Sequence, residues 1–143
     1  MPQAFLVVGH SHWGKSTTLR ALTGSARIKK IVIDGKGFFV RKMSNDDKPR
    51  DYSDFISNLD PTKKPLVIMA YCPETVLINA LAKKYELFFW ILEHKFDDTT
   101  SISASEIEAL RALGHVECYS HRRTSGAIRG AALTDFIRAN VAP

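Results

Sequence analysis

Short, almost wholly apolar runs alternate along the chain with stretches whose apolar residues recur at helical spacing. The runs predict strands at 4–8, 28–33, 38–43, 66–70, 87–92 and 116–119. Between them the spacing predicts a helix at 15–22 closed by Gly24, a short helix at about 52–59, and one opened by Pro73-Glu74-Thr75 and running to about 85. A further helix is expected at 103–113, where Ser103 and Glu106 have capping-box spacing, and a closing helix at 133–141. Asp34-Gly35-Lys36-Gly37 lies between two β-rich runs, so those two strands should form an antiparallel hairpin. Residues 44–64, polar and holding Pro49 and Pro61, are the most loop-like part. The sum is a single three-layer α/β domain over 1–143, with a mixed six-stranded sheet, one antiparallel hairpin and about five helices.

Composition narrows the class. The 143 residues are 45% hydrophobic and 24% charged, which suits one buried core and excludes a disordered chain. No apolar run approaches the roughly 20 residues of a membrane span, and no basic stretch precedes an apolar segment at the start. Cys72 and Cys118 stand singly, without metal or redox spacing, and are expected as reduced, buried thiols at strand ends. A cytoplasmic protein with no membrane contact is the expectation. The net charge of +5 comes from pairs such as Lys29-Lys30, Lys63-Lys64, Lys83-Lys84 and Arg122-Arg123, spread along the chain. That pattern suits a solvated basic surface and also one that attracts a polyphosphate or nucleic acid, so a protein or RNA partner stays open.

One segment carries chemistry. Gly9-His10-Ser11-His12-Trp13-Gly14-Lys15-Ser16 fits G-x-x-x-x-G-K-[ST] and lies between an apolar strand and a helix. In that setting glycines let successive amide N–H groups curl around an anion, and the helix N-terminus adds its positive end. Gly9, His12, Trp13, Gly14, Lys15, Ser16 and Thr17 are therefore expected to surround nucleotide phosphates, with Lys15 as the catalytic cation and Ser16 on Mg²⁺. His10 and His12 have no third ligand cluster, so a structural or phosphate-facing role is expected for them. The Trp13 indole is expected to be partly exposed, either over the nucleotide or packed at the site's edge. Phe88-Phe89-Trp90 reads as core, and 125–130 as a glycine-bearing rim before the last helix.

The segment 9–24 resembles the phosphate loop of translational GTPases of the elongation-factor and selenocysteine-factor type, members of the Ras-like P-loop NTPase fold. The hairpin is similar to the antiparallel pair of Ras-like domains. His94-Lys95-Phe96-Asp97 resembles the guanine-recognising NKxD, and Cys118-Tyr119-Ser120-His121-Arg122 resembles the loop that backs the base. The resemblance implies GTP or GDP bound with Mg²⁺, and His94, Lys95, Asp97, Ser120 and His121 around the base.

The chain departs from the family where hydrolysis is organised. Few residues separate Gly24 from Ile28, too few for a long first switch loop. The segment aligned with DxPGH reads Asn45-Asp46-Asp47-Lys48-Pro49, without the water-orienting histidine. Hydrolysis is therefore expected to be weak or absent, since phosphoryl transfer rests on positioning and charge stabilisation. Two other readings remain: a small P-loop kinase, in which Arg41, Arg50, Arg122 and Arg123 clamp phosphates, and a pseudo-GTPase interaction module. The hairpin argues against the kinase, whose strands usually run parallel from the start.

Overall fold

A computed structural model describes residues 2–10, 13–45, 47–73, 78–93, 101–119 and 124–143. Among them are six strands, β1 (Gln3–Val8), β2 (Lys30–Ile33), β3 (Lys36–Arg41), β4 (Leu66–Tyr71), β5 (Glu86–Leu92) and β6 (His115–Tyr119). Five helices accompany them: α1 (Lys15–Thr23), α2 (Pro49–Asn58), α3 (Ile78–Ala82), α4 (Ala104–Arg111) and α5 (Gly126–Asn140). All strands form one sheet in the order β2-β3-β4-β1-β5-β6. Only β2 runs antiparallel to its neighbour; β3, β4, β1, β5 and β6 are parallel. The α/β class, the six-stranded mixed sheet and the single antiparallel pair are as the apolar pattern led one to expect.

The hairpin is tighter than the DGKG tetrapeptide suggests. Asp34 (φ 51°) and Gly35 (φ 81°) alone make the turn, and Ile33 pairs with Lys36. Two consecutive positive φ values are what a two-residue hairpin turn needs to match the strand twist. β3 thus begins at Lys36, and β2 begins only at Lys30, where pairing with Phe39 starts.

Alternating residues of β3 show how the layers form. Phe38 turns to one face and meets Phe5, which also packs against Phe88 and Phe136. This face is covered by α1 and α5, which lie against each other. Phe39 turns the other way onto Phe55 of α2, and Tyr52 of α2 meets Tyr71. Tyr71, Ile78 of α3 and Leu110 of α4 line a common cleft, so α2, α3 and α4 share that second face. The sheet centre is almost wholly apolar: β1, β4 and β5 bury residues on both faces, and Phe88, Phe89 and Trp90 are core as expected.

α5 begins seven residues earlier than its apolar spacing implies. Ser125 caps it by accepting from the Ile128 N–H, and the glycines read as a flexible rim form its first turns. A Cβ on Gly126 would come 2.8 Å from Thr17 Cγ2, and one on Gly130 would come 3.3 Å from Ala21 Cβ. The glycines are there because α1 and α5 cross too closely for side chains. The thiols divide: Cys72 is buried just after β4, whereas Cys118 lies within edge strand β6 and is only half-buried; both are free.

Candidate functional site

The connections after β1 and β4 leave in opposite directions, α1 to one face of the sheet and α3 to the other. Neighbouring parallel strands whose connections diverge open a crevice at their C-terminal ends, which is where α/β sheets take ligands. The glycine-rich loop occupies this position.

Its anchoring is local. The Gly9 N–H donates to Tyr71 O at 3.1 Å, which ties the loop to β4. Trp13 N–H donates to His10 O at 3.2 Å, and Gly14 adopts φ 97° at the N-cap of α1. That conformation favours glycine, and a Cβ there would also meet Arg129 Nη2 at 3.0 Å. Gly14 at the N-cap has no side chain to accept from the first-turn amides of α1, which lie at the loop end of the helix. Lys15 is only 7% exposed; its Nζ donates to Gly9 O at 2.7 Å and to His10 O at 2.9 Å, lying across the loop. Ser16 and Thr17 are exposed on the first turn of α1. This gathers Gly9, Gly14, Lys15, Ser16 and Thr17, while His12 lies outside the described residues.

Trp13 differs from expectation. At 6% exposure its indole belongs to the core, edge-on to the His10 ring with centroids 5.0 Å apart. It forms the floor under the loop and leaves no indole exposed for stacking. Its burial depends on tertiary packing, which the neighbouring residues in the sequence do not reveal.

His94, Lys95, Asp97, Ser120 and His121 lie outside the described residues. The strands leading to them end side by side: Leu92 pairs with Tyr119, and Ile91 pairs with Val8 ahead of the glycine-rich loop. Asn45, aligned with the metal-linked Asp of the family pattern, is fully buried; its Nδ2 donates to Cys72 O at 2.9 Å and its Oδ1 accepts from Cys72 N–H at 2.7 Å. Both ends of the amide therefore hold the end of β4. Asn45→Ala should lower unfolding free energy by about 2–4 kcal/mol, because buried peptide groups lose their partners. Urea titration reads this directly, and a loss under about 1 kcal/mol would show that the clamp does not matter.

Three further residues, Arg129, Thr18 and Glu106, support the loop, and no sequence signal tied any of them to it. Arg129 of α5 is 7% exposed, donates from Nε to Thr18 Oγ1 at 2.9 Å and bonds Thr124 O, standing behind Gly14. Burial lowers its pKa from the ordinary guanidinium value, with Tyr119 opposing. Thr18 Oγ1 in turn donates to Gly14 O at 2.7 Å. Glu106 of α4 contacts His10 Nε2 at 2.9 Å through Oε2 and accepts through Oε1 from Ser103, as the capping-box spacing foretold. Burial would raise the Glu106 carboxyl, but bonds from Ser103 and His10 outweigh it and hold the pKa below the ordinary value.

Among the described residues no group of three His, Cys, Asp or Glu side chains is placed to hold a metal ion, and no helix is long and apolar enough to cross a membrane. Comparison with protein-family models, with curated proteins and with solved structures found no match to this chain.

Proposed function

We propose that the chain is a P-loop nucleotide-binding domain that takes a nucleoside triphosphate or diphosphate, GTP or GDP by the resemblance of its base-side motifs. The observation that carries this is Lys15, buried with its ammonium across the carbonyls of Gly9 and His10 at the uncapped N-terminus of α1. An ammonium held at the loop, with α1 amides beside it, suits a polyphosphate bound at the start of the helix. The divergence of α1 and α3 supports the same position independently.

The residues fit Mg²⁺ in part. Ser16, exposed on the first turn of α1, would hold the ion through its hydroxyl, and Mg²⁺ in such sites relies on phosphate oxygens and water for most of its shell. Bound there, the ion would neutralise phosphate charge. Asn45 is committed to Cys72 and cannot serve as the metal-linked residue. That supports weak or absent hydrolysis, in a domain like those of translational GTPases with degenerate switches, or in a pseudo-GTPase that works through a protein or RNA partner.

The hairpin on which the argument against a kinase rests is present, as the antiparallel pair of β2 and β3 at the edge of an otherwise parallel sheet. Calorimetry with GDP, GTP, ADP and ATP in the presence of Mg²⁺ tests the main reading, with GDP expected at least about tenfold tighter than ADP. Equal affinities would remove the guanine assignment, and no binding of any of the four would remove the nucleotide reading. Nucleotide-dependent ADP release with small hydroxyl acceptors would favour the kinase.

A further inference from the structure

A second concave site lies away from the glycine-rich loop, between the hairpin and α2. This cavity of about 300 Å³ is lined by Ala26, Lys29, Phe39, Val40, Arg41, Lys42, Met43 and Phe55. Three of these residues are cations, two are aromatic, and none is acidic. Single small-molecule sites begin at about this volume.

Arg41 is the unusual member. Its guanidinium carbon lies 5.4 Å from the centroid of Tyr52 and 4.9 Å from that of Phe55, stacked under α2. Among the described residues its Nε and Nη2 are sealed from solvent without a hydrogen-bond partner. Ring faces offset part of the desolvation of a guanidinium, but they provide no countercharge. Nor does Tyr52: its hydroxyl is buried, has no hydrogen-bond partner among the described residues, and is kept neutral because burial raises its pKa far above the ordinary value. Lys42 bonds the Ile28 carbonyl, and its pKa is lowered by burial and then by the nearby Lys29 ammonium. Three positive groups thus line one hollow with apolar walls, and no carboxylate lines it with them. Such an arrangement is costly when empty and is relieved by an anion.

We propose that this cavity is a binding site for a small phosphomonoester with an apolar or aromatic body. The doubly charged headgroup sits beside the more accessible Lys29 and Lys42, with the Arg41 charge in the inner wall behind it, and the body lies against Phe39, Phe55 and Met43. A phosphodiester strand fits less well, because each of its groups carries one charge and the hollow holds one small molecule. The site is separate from the glycine-rich loop. Arg41 pairs with Met69 and Met69 with Leu6, so two strand spacings and three residues along β1 separate Arg41 from Gly9, roughly 14 Å. That is too far for a group bound at one place to be in reacting contact with the other.

Phenyl phosphate is a suitable probe, titrated into the full chain by calorimetry, with phenol and inorganic phosphate as the two halves of the ligand. Phenyl phosphate should bind at least tenfold tighter than either half, and Arg41→Gln and Lys29→Gln should each weaken it about tenfold. Lys29 is exposed, so its variant keeps the test valid if Arg41→Gln does not fold. Absence of binding overturns the proposal. So does binding lost in Lys15→Ala but kept in Lys29→Gln, which would put the anion in the glycine-rich loop. A single-stranded oligonucleotide that binds through Lys29 while phenyl phosphate does not would also overturn it, in favour of a nucleic-acid surface.

Discussion

Lys15→Ala is expected to bind nucleoside triphosphate at least about a hundredfold more weakly than the wild type, read by calorimetry in the presence of Mg²⁺. In the unliganded protein the ammonium spends its hydrogen bonds on the Gly9 and His10 carbonyls, at 2.7 and 2.9 Å. Phosphate oxygens would replace these with charge-assisted bonds, each worth about 1.5–3 kcal/mol. Losing two such bonds corresponds to a factor of a hundred or more. Some stability is also expected to be lost, because the Lys15 bond to the Gly9 carbonyl is buried, so affinity is read on protein that urea titration shows to be folded. A variant that keeps wild-type affinity would refute phosphate binding at this loop, whatever the base. Trp13 and Trp90 are both core residues, so indole fluorescence checks that the variant keeps its fold.

Gly114→Ala should be among the most damaging single changes in the chain, lowering stability by about 3 kcal/mol and the melting temperature by about 10 °C. Gly114 occupies the turn between α4 and β6, where a Cβ would lie 2.3 Å from Leu87 O and 3.0 Å from both Leu87 C and Leu87 Cβ. The obstruction is backbone of a buried strand in the middle of the sheet, so no rotamer change relieves it. Either β6 must slip along β5, where Phe88 pairs with His115, or the turn must open. Gly37→Ala is the control: nothing lies within 4 Å of its Cβ position and its φ is not in the left-handed region. It should stay within about 0.5 kcal/mol of wild type. Equal effects of the two substitutions in urea titration would mean that the close approach at Leu87 is absent in solution.

Most strands and helices were legible because burial leaves a mark on residue type. β1, β4 and β5 are apolar on both faces, as central parallel strands must be, and their sequences read as continuous apolar runs. The Ser103 and Glu106 spacing foretold a capping box that the structure contains, since both partners sit within one helical turn. α5 was only half legible. Its first two turns are glycine- and alanine-rich, a composition that argues for a turn until α1 is seen lying against it at Gly126 and Gly130. The candidate site divides in the same way. Gly9, Gly14, Lys15 and Ser16 follow from a motif whose spacing is itself the geometry. Arg129 was illegible because it lies more than a hundred residues from the Thr18 hydroxyl it meets.

The sequence by itself determined the local elements, the antiparallel pairing of the two strands around Asp34-Gly35, and a lysine at the start of α1. These depend on backbone preference and on contacts within a few residues, which residue identity alone specifies. The tertiary structure decided the rest. It set β4 between the hairpin and β1, buried Trp13 under the loop, committed Asn45 to the end of β4, and brought Lys29, Arg41 and Lys42 to one hollow. Each of those outcomes depends on which distant surfaces meet, and that is fixed by the joint packing of both faces of the sheet rather than by any one segment.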